Sequence, residues 1–400
     1  MKRRTSLAKG AKRAKGEPVG GEDAESFIKR CTGMKRPTQR DIARIAKVTH
    51  VTVSLALRGH PSIPKATRER IDGIAKQINY RPDPALSALM LYRRAAKPSS
   101  YQGVLAWINS YRNPELLASY FPQYLRGAQE RCEELGYKLE EFRMTDLGMN
   151  YTRLSGILRA RNIQGVLFAP QDRRRHITKA SFDWDSFSAI SFGYSLMRPS
   201  LDLVGNAQYR TSRLAVRKLR ALGYHRIGFV TGHRFNERLD QNFMAGFLVE
   251  ELRFLPSERV PVYFMDEKGG EESFRNWFFR YAPDVLMIAT LGILEWFYAM
   301  PPAERKGCGI AGLDVPDGDK EYSGVNQNNK IIGRTAVDMV VAKVHANERG
   351  IPVAPRRILI EGRWMPGTTA PKVGARAQGQ RFPVQLGGKV PGEALAPGVF

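Results

Sequence analysis

Few side chains in this sequence are spaced for bond-making chemistry. His225 and His233 flank a predicted strand, but neither has a Ser or Cys nucleophile in a diagnostic context, so triad-type catalysis is not indicated. No Gly-rich phosphate loop of dinucleotide or P-loop type occurs. Asp317-Gly318-Asp319 has calcium-loop residue types without EF-hand spacing and reads as a turn. Cys31, Cys132 and Cys308 stand far apart, with no CxxC and no paired His spacing, which argues against a zinc module or a disulfide framework. No metal or cofactor is expected, and nothing in the chain demands an enzyme.

The chemistry the sequence does support is recognition of a polyanion. Its 400 residues carry 63 Lys+Arg against 39 Asp+Glu, a net +24. Residues 1–97 hold 23 Lys+Arg and 8 Asp+Glu, so +15 of the excess is local and the remaining 303 residues carry +9. An anionic membrane is the weaker partner: no run approaches the ~20 apolar residues of a spanning helix, and the basic N-terminus lacks the apolar core of a signal peptide. A cytoplasmic protein is expected. Residues 1–36 and 370–400 have compositions that bury little and are expected to be disordered tails.

Three short helices must position the recognition residues. Thr38 to Asp41 resembles a capping box, followed by Ile42, Ala43, Ile45 and Ala46 at helical spacing, which predicts a helix over 39–46. Lys47-Val48 breaks it. Thr49 caps a second helix with Val53, Ala56 and Leu57 inward, and Pro64 opens a third over 65–78 with Ala66, Ile71, Ile74, Ala75 and Ile78 inward. This is a helix-turn-helix module over 37–81. Its second helix would enter a major groove and offer His50, Val51, Ser54 and Leu55 to base edges, while Arg40 and Arg58 suit phosphates. Asn79-Tyr80-Arg81-Pro82-Asp83-Pro84 then leads into a short helix, Ala85 to Met90, within a hinge and linker over 82–97.

The order capped helix, V-T-V-S helix, K-A-T-R-E-R-I helix, N-Y-R-P and hinge helix resembles the LacI/GalR family of bacterial transcription regulators. The resemblance continues through A-L-G-Y-H-R-I-G-F-V (221–230), A-G-F (245–247), G-L-D (312–314), V-N-Q-N-N-x-x-x-G-x-x-A (325–336) and L-I-E-G-R-W-x-x-G-T-T (359–369), about 330 residues in all. It implies a homodimer on a pseudo-palindromic DNA operator, with Leu89 wedged into the minor groove. Thr38, Thr49, Thr67, Tyr80 and Leu86 join the DNA face on the same basis. Val51 and Leu55 depart from the polar readers usual in the family and favour thymine methyls over hydrogen bonding.

Residues 98–369 alternate strands and amphipathic helices, which predicts two parallel-sheet lobes, a bilobed α/β core like periplasmic binding proteins. Lobe 1 is expected at about 101–200 and 331–352, and lobe 2 at about 201–330 and 353–369. A ligand would lie at the strand ends between them. By position in the family, Tyr111, Gln171, Asp172, Asp314 and Gln327 are the effector candidates. Gln241 stands where relatives place a cleft arginine, with Arg238 nearby, and Thr290-Leu291 replaces an Asn-Asp pair. Tyr111 and Trp296 would suit stacking on a sugar or base ring. The expected function is a transcriptional regulator, a repressor, controlled by a small-molecule effector, a sugar or related metabolite. An activator of the same architecture and a solute-binding transport protein are the alternatives.

Overall fold

The computed structural model describes residues 37–57, 63–80, 102–113, 117, 121–265 and 270–374. The chain divides into two compact units, one before and one after residues 93 and 94. The predicted hinge helix, Arg58, Leu86, Leu89, the expected tail to residue 36 and the expected tail beyond 374 lie outside the described residues; the start of that second tail is packed instead, with Ala370 buried in a hydrophobic core and Val373 donating its amide to the Leu222 carbonyl at 2.8 Å.

In the first unit α1 is Gln39–Ile45, α2 is His50–Leu57 and α3 is Lys65–Gln77. Thr38 donates from its amide and its hydroxyl to the Asp41 carboxylate, at 2.8 and 2.6 Å, and so fixes the start of α1. Lys47 adopts a left-handed φ of 51°, which ends α1 and turns the chain. The Thr49 hydroxyl accepts from the Thr52 amide at 3.1 Å and caps α2. Ile42, Val53, Ile71 and Ile78 close a small core with four alanines, Ala43, Ala46, Ala56 and Ala75. Leu57 and Ile74 pack against it half-buried. Ala66 is exposed rather than inward, because it sits in the first turn of α3 on the side away from α1 and α2.

The second unit holds two six-stranded sheets with the same pattern. Strands β1 (Gly103–Asn109), β2 (Tyr137–Arg143), β3 (Gly165–Phe168), β5 (Ser188–Phe192), β7 (Asp202–Asn206) and β13 (Arg357–Ile360) form the first, in the order β13-β7-β5-β3-β1-β2, all parallel. Strands β8 (Ile227–Gly232), β9 (Tyr263–Met265), β10 (Val285–Ile288), β11 (Gly309–Gly312), β12 (Ser323–Asn326) and β14 (Arg363–Met365) form the second, in the order β14-β12-β11-β10-β8-β9, with only β14 antiparallel. A two-stranded ladder, β4 (Arg175–His176) with β6 (Leu196–Arg198), borders the first sheet's strand ends. The central strands are buried throughout, as a sheet covered on both faces requires.

The helices are α4 (Pro122–Glu134), α5 (Tyr151–Ala160), α6 (Gln208–Ala221), α7 (His233–Arg238), α8 (Asn242–Glu251), α9 (Gly270–Tyr281), α10 (Ile293–Ala299) and α11 (Asn329–Ala346). Each lobe has one helix pair brought unusually close by glycine. A Cβ on Gly127 of α4 would lie 2.1 Å from the Lys330 carbonyl of α11, and one on Gly333 of α11 would lie 2.1 Å from the Tyr124 carbonyl of α4. Gly246 of α8 plays the same part against Tyr209 of α6, at 2.3 Å. The glycines of the A-G-F and N-Q-N-N-x-x-x-G motifs are therefore packing residues, needed where two helix backbones touch.

The chain crosses between lobes at 206–208, 326–329 and 360–363. Two expected lobe limits move accordingly. Both β7 and β13 belong to the first sheet, so lobe 1 runs to Asn206 and takes back residues 353–360. The crossings lie side by side: Asn206 donates to the Ile360 carbonyl at 3.2 Å, Asn328 donates to the Glu361 carbonyl at 2.7 Å, and a Cβ on Gly362 would meet Val325 at 2.5 Å. Nearby, Asp202 and Lys343 are both almost fully buried and pair at 2.7 Å. Arg356 donates its amide to Asp202 at 2.7 Å and its guanidinium at 2.6 Å, and Glu348 binds Lys343 at 2.8 Å.

Candidate nucleic-acid interface and ligand cleft

Helix α2 contains no acidic residue, and its first residues face solvent. His50 is exposed and Val51 is 64% exposed, although valine is normally buried. Ser54 and Leu55 are half-buried one turn later on the helix. Thr38, Arg40 and Thr49 are exposed beside the two helix starts, Thr67 is half-buried in α3, and Tyr80 packs half-buried on the small core. The described residues of this unit hold seven Lys+Arg and three Asp+Glu, and Glu69 and Asp72 pair with Lys65 and Lys76 within α3. An anion therefore meets net positive charge here.

In the larger unit, the strands of both sheets end at one cleft. Arg238, at the end of α7 in lobe 2, reaches lobe 1: its Nη1 donates to the Gln171 carbonyl at 3.2 Å, the Asp172 carbonyl at 3.3 Å and the Tyr111 hydroxyl at 3.5 Å. Gln171 is buried; it donates its side-chain amide to the Ala169 carbonyl and its backbone N–H to the Ser195 hydroxyl at 2.9 Å, and its Oε1 has no donor. Arg175 donates to the Ser110 carbonyl at 2.8 Å and lies 3.4 Å from the Asp172 carboxylate.

At the other end of the cleft, Asp314 follows β11 and accepts from the Asn329 amide with both oxygens, at 3.0 and 3.2 Å. Water reaches it, yet protein surrounds it, and this desolvation pushes its carboxyl up to about 6 against the pull of the Asn329 hydrogen bond. Burial, together with the charge of Asp314, raises the phenol of Tyr124 across the cleft. Gln327 is buried and donates to the Leu313 carbonyl at 2.7 Å, and the Oδ1 of Asn329 is buried without a donor.

The description "Bacterial regulatory proteins, lacI family" fits residues 38–83, the stretch that holds the three-helix module. Relatives extend the likeness past it. The chain is 23% identical over 262 residues to the HTH-type transcriptional regulator MalR of Streptococcus pneumoniae, covering 63% of this chain and 75% of that protein. It is 22% identical over 329 residues to the HTH-type transcriptional repressor PurR of Haemophilus influenzae, covering 78% and 93%. Residues 38–83 thus match the LacI family, and beyond them the chain is similar to regulators and repressors of transcription. In fold it is similar to the solved transcriptional regulator CelR–cellobiose complex, with a TM-score of 0.51 at 19% identity over 84% of this chain and all of that one.

The cleft is assembled from some expected residues and not others. Tyr111, Gln171, Asp172 and Arg238 meet in one hydrogen-bonded group, and Asp314 and Gln327 flank a second. Gln241 stands apart. It is exposed, and it and Asp240 both adopt left-handed backbone, at φ 58° and 55°. These two residues separate α7 from α8, and it is Arg238, not Gln241, that reaches lobe 1. Thr290 is half-buried after β10, and among the described residues no hydrogen bond joins it to either group. Trp296 packs against Phe274 in the lobe-2 core and is no stacking platform.

Ser195, Arg175, Asn329 and Tyr124 are site residues the sequence reading passed over. Ser195 follows β5 as Gln171 follows β3, so the rule that ligands gather after parallel strands applied equally to it. The remaining titratable candidates have structural partners: His225 binds Glu258 at 2.8 Å, His233 stacks on Phe264, and Asp319 accepts the Glu321 and Tyr322 amides in a turn.

Proposed function

We propose that the protein is a sequence-specific, DNA-binding repressor of transcription that acts as a homodimer on a pseudo-palindromic operator and is controlled by a small metabolite in its cleft. The observation that carries this reading is α2, an acid-free helix in a helix-turn-helix with His50 and Val51 held out to solvent. A major groove accommodates such a helix, and its N-terminal residues face base edges. Relatives with regulator and repressor names support the reading, as does the cellobiose held by the fold's structural neighbour. A solute-binding transport protein would have no use for the module at 38–80.

Regulation then requires an effector with different affinities for the open and closed cleft. Closure would then alter the affinity for DNA, where Leu86 and Leu89 would engage the minor groove.

Genomic fragments captured by the purified protein and footprinted would supply the site, and its position relative to the promoter separates repressor from activator. On that site V51E should weaken binding by roughly 10-fold or more, since it sets a carboxylate against bases and phosphates. Val51 is exposed, so the module should keep its helical content by circular dichroism. Unchanged affinity with an intact fold would overturn the α2 assignment.

A further inference from the structure

The cleft holds a positive charge that its own carboxylates do not balance. The run Gln171-Asp172-Arg173-Arg174-Arg175-His176 follows β3 at the cleft's edge. Two of its arginines have anionic partners, Arg175 in Asp172 and Arg174 in Asp240 at 3.8 Å. Arg238 differs. Its hydrogen bonds go to two main-chain carbonyls and a phenol, all neutral, and among the described residues no carboxylate lies within ion-pair distance. A guanidinium stays charged at every physiological pH, and a half-buried one on neutral acceptors at 3.2–3.5 Å gains strongly from an anion. Beside it, the Nε of Arg175 is buried with no acceptor.

The opposite end has the reverse polarity. The Asp314 carboxylate and the donor-less Oδ1 of Asn329 are acceptors, and they suit hydroxyl donors. A ligand that satisfies both ends carries an anion at one and hydroxyls at the other.

We propose that the cleft takes an anionic polyhydroxy ligand, a sugar acid or sugar phosphate, whose charged group replaces the carbonyls on Arg238 and whose hydroxyls face Asp314 and Asn329. This rests on the reading of the cleft as an effector site. It also gives Arg238 two roles. Without ligand it bridges the lobes weakly through neutral acceptors, and with ligand it closes them on an anion.

The test is a titration of the full-length protein, by calorimetry and thermal shift, with gluconate, galactonate, glucose 6-phosphate and fructose 6-phosphate, against glucose, cellobiose and inorganic phosphate. At least one sugar acid or sugar phosphate should bind and raise the melting temperature as RT ln(1 + [L]/Kd). The gluconate and phosphate arms tell a carboxylate from a phosphate. R238Q should weaken that ligand roughly 10- to 100-fold, the loss of a charge-assisted pair, and R238K should recover part of it. The proposal is overturned if no anionic sugar binds, if R238Q leaves its affinity unchanged, or if inorganic phosphate binds as tightly as the sugar phosphates. A neutral sugar that binds alone would remove the anion while leaving the effector reading in place, and V51E binding to DNA tests the regulator reading separately.

Discussion

Removing the Asp202 carboxylate should destabilise the core more than most single substitutions. Lys343 is 3% exposed and Asp202 fully buried, so D202A strands an ammonium in the lobe-1 interior and removes the acceptor for the Arg356 amide. Breaking a buried pair from one side typically costs about 3–5 kcal/mol. Glu348 still reaches Lys343 at 2.8 Å, and Arg356, half-exposed, can turn into water, which places the expectation near the lower end, about 3 kcal/mol. Urea unfolding followed by tryptophan fluorescence isolates this unit, because all five tryptophans lie beyond residue 100. The double variant D202L/K343M removes the pair together and should recover much of the loss. Burial disfavours the Asp202 carboxylate, but the Arg356 and Lys343 hydrogen bonds outweigh it and hold its pKa below the ordinary value. A group lowered by folding stabilises above its unfolded pKa, so the gap between wild type and D202A should be full at pH 7 and close as the pH falls below about 4. A loss under about 1 kcal/mol at pH 7, or a double variant no better than the single, would refute the account of a stranded charge.

Three further outcomes follow from the same structure. G333A and G246A each put a Cβ 2.1–2.3 Å from a facing carbonyl and should cost about 1–3 kcal/mol in the same unfolding assay, whereas G156A, with open space around it, should not destabilise. Asp314 titrates up near 6 in the folded protein, above its unfolded value, so its ionisation lowers stability progressively from about pH 4 to 6 and fully above. D314N should therefore raise the melting temperature at pH 7.5 relative to wild type but not at pH 4, as a pH series of thermal melts would show. DNA affinity should fall steeply with salt, as log Kd against log salt measures, and R40A should flatten the slope by about one phosphate contact.

Much of the fold is legible in local pattern. The expected helix 65–78 is α3, because apolar spacing and the Pro64 start both point the same way. What escaped is set by tertiary context. β7 opens with a buried aspartate and carries Gly205, so it lacks a strand's apolar signature and depends on Lys343, 141 residues away, to neutralise it. β13 is an edge strand whose Ile358 and Leu359 remain partly exposed, and nothing local assigns it to the first sheet rather than the second. In the cleft, Gln171, Asp172, Asp314 and Gln327 were legible through the family resemblance, by position. The reach of Arg238 depends on two consecutive left-handed residues, Asp240 and Gln241, neither of them glycine, which no propensity would anticipate.

Gly362, lying against Val325 in the third crossing, sets the mechanics of the whole core. Three connections that touch along their length cannot slide independently, so relative motion of the lobes is confined to rotation about one shared axis. Rotation about that axis would carry the far edge of lobe 1 through an angle. The distance between crossing and rim, a lever arm, sets how far that edge travels for a given closure.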